Sequence, residues 1–135
     1  MHKSFDKIVL IDDDETINYY HNYMIEKAEI ASNIITASDV EEALVILQDV
    51  SKTESKGNSL ILLDINMPKY SGFELLEKNT DLFDQLNNLN FHVIILTTSG
   101  NPFDIERSKG FELIKEYIQK PITEDILHRI ANDYA

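Results

Sequence analysis

Five short runs rich in consecutive apolar residues punctuate the chain, at residues 8–11 (IVLI), 34–37 (IITA), 60–63 (LILL), 93–96 (VIIL) and within 113–118 (LIKEYI). Each has the length of a strand. Apolar side chains at successive rather than alternating positions predict strands buried on both faces, as in a parallel sheet covered by helices. Helical spacing fills the intervals. Residues 15–29 repeat apolar side chains at Ile17, Tyr20, Met24 and Ala28, and residues 39–48 do so at Val40, Leu44 and Leu47. Residues 71–79 open on a capping serine, Ser71, residues 123–132 open T-E-D, and residues 104–108 form a shorter helix. Residues 51–59 read as a loop and residues 79–90 as a long polar connection. Strand and helix thus alternate five times, which predicts a three-layer α/β domain with right-handed crossovers.

A chain of 135 residues matches the common size of one domain. No linker or internal repeat divides it, so residues 1–135 are expected to form a single domain with no output domain attached. The absence of cysteine excludes disulfides, thiolate metal sites and thiol nucleophiles. With 24 acidic against 12 basic residues the net charge is −12, which would repel a nucleic-acid backbone over most of the surface. No apolar run approaches the roughly 20 residues of a membrane helix, and no secretory leader pattern opens the chain. The expectation is a cytoplasmic protein with neither membrane nor nucleic acid as a direct partner.

Most of the acids need be no more than solubilising charge, but four follow a buried strand directly. Asp12, Asp13 and Asp14 succeed the first apolar run and Asp64 succeeds LILL. In open parallel sheets ligands bind at the carboxyl ends of the strands, above all where the strand order reverses. Carboxylates crowded there raise one another's pKa unless a cation shares them. Mg2+ suits such a site, being a hard ion that takes one or two carboxylates, keeps waters and accepts phosphate oxygens; Mn2+ is the possible substitute. The remaining strand ends supply a hydroxyl, Thr97, and an ammonium, Lys120, able to neutralise a transferring phosphoryl group. An aspartate in that company can accept the phosphoryl group as an acyl phosphate.

The segments VLIDDDE, ILLDINMPKYSGFELL, VIILTTS and YIQKP together resemble the response-regulator receiver domain, in particular the stand-alone type of bacterial chemotaxis. The resemblance spans nearly the whole chain. It implies a flavodoxin-like (βα)5 fold with a five-stranded sheet of order 2-1-3-4-5. It implies Asp64 as phosphoacceptor, with Asp12, Asp13, Asp64 and the backbone carbonyl of Asn66 around the metal, Asp12 acting through water. Thr97 rather than Thr98 aligns with the switch hydroxyl, Lys120 with the phosphate-contacting lysine, and Pro121 with a proline behind a cis bond. Tyr117 takes the place of the aromatic whose rotamer follows the switch. The implied phosphodonor is a sensor histidine kinase or a histidine phosphotransfer protein. The implied output is a partner protein bound, or a dimer formed, at the face built by the helix after the fourth strand, the last strand and the last helix. Such a protein catalyses its own phosphorylation and dephosphorylation and is not a conventional enzyme.

Two rival readings fit less well. A magnesium-dependent aspartyl-phosphate phosphatase would resemble D-x-D, whereas Asn66 stands two residues after Asp64. A constitutive adaptor would not need every key position filled. His2, His21, His92 and His128 lack metal-ligand spacing and read as surface or helix residues, His92 lying just before the fourth strand. Tyr19, Tyr20 and Tyr23 divide between core packing and an exposed docking surface. Gly72 is expected to permit a tight turn, because no glycine-rich phosphate cradle surrounds it, and Ser99 to influence hydrolysis of the acyl phosphate.

Overall fold

The computed structural model describes residues 4–53, 57–67, 70–98 and 100–135; Ser99, His2 and the middle of the 51–59 loop lie outside the described residues. Its elements run β1 (Phe5–Ile11), α1 (Glu15–Ala28), β2 (Ala31–Ala37), α2 (Val40–Val50), β3 (Ser59–Asp64), α3 (Gly72–Lys78), α4 (Thr80–Asn88), β4 (Phe91–Thr97), α5 (Pro102–Ser108), β5 (Ile114–Gln119) and α6 (Glu124–Tyr134). The strands form one parallel sheet of order β2-β1-β3-β4-β5.

The uninterrupted apolar runs have the expected cause. All six residues of β3 are buried, because successive side chains enter opposite layers of the core. Val9, Ile11, Ile61, Leu63, Val93 and Ile95 face Leu47, Phe73, Phe83 and Leu86 on one side. Ile8, Leu10, Leu60, Leu62, Ile94 and Leu96 face Ile25, Leu127 and Ile130 on the other. Parallel pairing then brings the strand ends level, with Ile11 opposite Leu63, Asp64 opposite Leu96 and Thr97 opposite Gln119.

The long polar connection expected over residues 79–90 is instead largely helix, α4, which gives six helices rather than five among the described residues. Leu82, Phe83, Leu86 and Leu89 recur at helical spacing, and Phe83 and Leu86 are buried. Asn79, with φ −134°, separates α3 from α4 and offers α4 no side-chain cap. The asparagines on either side are what made this stretch read as loop.

The face that α1 buries is also displaced from the expected one. Its buried residues are Asn18, His21, Ile25 and Ala28, not the stripe led by Ile17 and Tyr20. Tyr19, Tyr20 and Tyr23 are all exposed, so none of them supplies core. His92 lies inside β4 rather than before it, with Nε2 3.1 Å from Asn58 Oδ1.

Candidate functional site

Level strand ends place the sequence-nominated groups on one edge of the sheet. Asp12 follows β1 and is 4% exposed, Asp64 closes β3 at 2%, and Thr97 closes β4 fully buried. Asp13, one residue on, is exposed at the rim. Asp14 caps α1 instead, its carboxylate accepting from the backbone N–H of Thr16 and Ile17. The next loop carries Asn66, whose N–H donates to Asp64 Oδ1 at 3.1 Å and whose Nδ2 donates to Thr97 Oγ1 at 3.0 Å.

Lys120 enters from the far side of the sheet. Its Nζ lies 2.5 Å from Asp12 Oδ2 and 3.4 Å from Asp64 Oδ1, with all three side chains below a tenth exposed. The Lys120–Pro121 bond is cis, and the Lys120 N–H donates to the carbonyl of Thr97 at 2.6 Å. Tyr117, half-buried on β5, hydrogen-bonds Thr97 through its hydroxyl, and burial raises the pKa of its phenol. Thr98 faces away, exposed, its carbonyl accepting from Gln119 Nε2. The structure thus brings together Asp12, Asp13, Asp64, Asn66, Thr97, Tyr117 and Lys120, with Thr98 outside and Ser99 beyond the described residues.

The charges do not balance. Asp12, Asp13 and Asp64 offer carboxylate oxygens within 4.8 Å of one another, and among the described residues the ammonium of Lys120 is the cation paired with them. Burial, the leading cause, with the neighbouring Asp12 charge pushes the Asp64 carboxyl up to about 6, against the lowering effects of the Asn66 N–H and Lys120. Two excess negative charges on oxygen donors, two of the carboxylates buried and one at the rim, suit a hard divalent cation that keeps part of its water shell. A cleft of about 340 Å³ opens beside Asp13, lined by Ser38, Val40, Met67 and Tyr70 among others.

Three features escaped the sequence reading. His21 is a helix residue as expected, but its place is on the buried face of α1, 1% exposed. Burial holds its pKa down at about 4, the Lys120 charge adding to the effect and Asp12 opposing it, so at neutral pH the ring is uncharged and adds no second cation. Asn18, 5% exposed, donates to the carbonyls of Asp12 and Ala37. Their signal was two polar residues three apart, in register with buried Ile25 and Ala28. Gly72, finally, serves close approach rather than a turn: a Cβ there would stand 2.7 Å from the backbone oxygen of Asp64.

Comparison with known proteins agrees with this geometry. The family model described as the response regulator receiver domain matches residues 8–132. The alkaline phosphatase synthesis transcriptional regulatory protein PhoP of Bacillus subtilis is 33% identical over 118 residues, covering 87% of this chain and 43% of that protein. The transcriptional regulatory protein CpxR of Escherichia coli is 31% identical over 119 residues, covering 87% and 44%. The chain therefore spans less than half the length of these curated relatives. Among solved structures, a two component response regulator from Cytophaga hutchinsonii superimposes with a TM-score of 0.87 at 26% identity, over 98% of each chain. The Vibrio cholerae chemotaxis protein CheY4 shares the fold, with a TM-score of 0.76 at 22% identity over 98% of this chain and all of that one.

Proposed function

The chain belongs to the response regulator receiver domain family of two-component systems, and on that premise we propose that it receives a phosphoryl group on Asp64 and passes the signal on as a change of shape. The observation that carries this reading is the buried Asp12–Lys120–Asp64 cluster. It sets the proposed carboxylate nucleophile, Asp64, beside Asp12 and a phosphate-neutralising ammonium, with Asp13 close enough at the rim to complete an acidic pair for a divalent ion.

The proposed donor is a phosphohistidine on a sensor kinase or phosphotransfer protein. A carboxylate oxygen of Asp64 forms the new P–O bond as the P–N bond to the donor imidazole breaks, and the imidazole leaves with the electron pair and takes up a proton. Mg2+, or Mn2+ in its place, would be held by Asp13 and Asp64 with the carbonyl of Asn66 and with Asp12 through water, and when bound it offsets charge on the transferring oxygens. Lys120, already 3.4 Å from Asp64 Oδ1, neutralises one oxygen of the product. The added group brings about −1.5 to −2 charge and three acceptor oxygens. The Thr97 hydroxyl, now tied to Asn66 and Tyr117, turns to donate to one of them. Tyr117 follows, and the face of α5, β5 and α6 changes its preferred state.

The output proposed for these residues is a protein contact on that face, with a downstream partner or a second phosphorylated copy. No helix among the described residues is long and apolar enough to cross a membrane, and the proposed site of action is the cytoplasm, where such donors are made. Incubation with a small phosphomonoester and Mg2+ tests the reading against hydrolytic catalysis. A switch gives at most one phosphoryl group per chain, whereas sustained release of phosphate over many turnovers would contradict it.

A further inference from the structure

Asn18 and His21 occupy the buried face of α1, three residues apart and so neighbours on the helix surface. Apolar side chains would fill those places at lower cost, since burying a polar group is unfavourable unless hydrogen bonds compensate it. Both spend their hydrogen bonds on backbone that adjoins the site. Asn18 Nδ2 donates to the carbonyl of Asp12 at 2.9 Å and to that of Ala37 at 3.1 Å, tying the end of β1 to the end of β2. Because both acceptors are carbonyl oxygens, the amide nitrogen must face them, and Oδ1 is left buried with no hydrogen-bond partner among the described residues. His21 Nε2 accepts from the backbone N–H of Ile122 at 3.5 Å, two residues beyond Lys120. Its ring is uncharged at neutral pH, so the accepting lone pair is present.

We propose that Asn18 and His21 are positioning residues of the phosphoryl-transfer site. On this account α1 is a brace, holding the backbone of Asp12 from one side and the backbone after Lys120 from the other. The brace fixes the separation between the acid that shares the cation and the ammonium that meets the phosphoryl group. The proposal rests on the reading of the site given above and adds two residues that touch neither metal nor substrate.

The test compares Asn18→Leu, His21→Leu and His21→Gln with the wild type, all as the full chain. Three measurements are made: the carbon-13 signal of the Lys120 methylene next to its ammonium, Mg2+ affinity by calorimetry, and the rate of phosphorylation by acetyl phosphate. Asn18→Leu is expected to weaken Mg2+ binding about tenfold, the low end of what outer partners of metal ligands contribute. His21→Leu is expected to move the Lys120 signal toward those of the exposed lysines and to slow phosphorylation about tenfold, as loss of a hydrogen-bonded positioning contact does. His21→Gln, which keeps an acceptor for the Ile122 N–H, should return both toward the wild-type values. A residue that only filled space would show no such rescue.

Should Asn18→Leu fail to fold, Asn18→Ser replaces it, keeping one donor, with an expected loss of Mg2+ affinity of about threefold. Folded Asn18 and His21 variants with Mg2+ affinity, Lys120 signal and rate all within about twofold or one line-width of wild type would overturn the brace, since each removes a buried hydrogen bond. A wild-type protein that takes no phosphoryl group would instead overturn the function proposed above, while the Lys120 signal and Mg2+ affinity still decide the brace.

Discussion

The helices flanking the site on either side are built to different standards. α1 is 14 residues long, capped by Asp14 at its start and by the left-handed Glu29 at its end, and it buries Asn18, His21, Ile25 and Ala28. α5 is 7 residues long, Ser108 is its buried residue, and Phe103 stands 84% exposed. The ladders beneath them differ as well. β1 pairs with β3 without interruption, whereas β4 and β5 shift register between Val93 and Ile94. Arg107 ties α5 to its surroundings by an exposed ion pair with Glu77 and by stacking over the Phe73 ring at 4.7 Å. Local stability follows buried contact, so the α1 flank resists rearrangement and the α5 flank yields first. That division suits the switch proposed above, in which the atoms that would take a phosphoryl group are held still and the surface that would report it has two accessible states.

Removing the central cation is the hardest blow to the fixed side. Lys120→Met leaves Asp12 and Asp64 buried without an opposing charge, and urea unfolding at pH 8 without Mg2+ should show a loss of about 3 kcal/mol. Saturating Mg2+ should return most of it. Arg107→Met on the yielding side, where the pair is solvent-exposed, should cost under about 1 kcal/mol, and equal losses would erase the contrast.

Acid titration sharpens the same point with opposed signs. Asp64, raised to about 6 from 3.8, binds a proton in the folded state first, so its contribution makes the fold more stable as pH falls from 6 toward 4. His21, lowered to about 4 from 6.5, is protonated first in the unfolded chain, so its contribution makes the fold less stable as pH falls from 6.5 toward 4. Each is worth about 3 kcal/mol over its window, and together they flatten the wild-type profile. In Mg2+-free buffer Asp64→Asn should lose stability more steeply than wild type between pH 6 and 4, and His21→Gln less steeply. Parallel profiles for all three would refute both assignments.

Smaller effects follow from packing. Gly72→Ala sets a Cβ 2.7 Å from the Asp64 carbonyl oxygen. It should cost about 1 to 3 kcal/mol and slow phosphorylation by displacing the acceptor. Phe103→Ser should change the unfolding free energy by less than about 0.5 kcal/mol, because the ring is already in water.

What could be read from the sequence divides along physical lines. The sheet was legible because consecutive apolar residues such as LILL have few other uses in a chain this polar, and Asp12 and Asp64 stood out by ending such runs. α4 was not, because asparagines at 79, 87, 88 and 90 carry loop propensity that burial of Phe83 and Leu86 overrides. Asn18 and His21 were hidden for a related reason. A polar residue in a helix reads as solvent-facing until tertiary contact shows backbone groups that need its hydrogen bonds. The close approach that Gly72 permits is likewise set by β3, eight residues earlier, and leaves no local signature.

The central claim is that Asp64 accepts a phosphoryl group in a reaction that requires a divalent cation. Intact mass after incubation with acetyl phosphate and Mg2+ tests it most directly, with Asp64→Ala and a chelator-treated sample alongside. The account predicts one phosphoryl group on the wild-type chain, labile to alkali, and none on Asp64→Ala or in the chelator. Labelling that persists in Asp64→Ala, or that proceeds without a divalent ion, would contradict it.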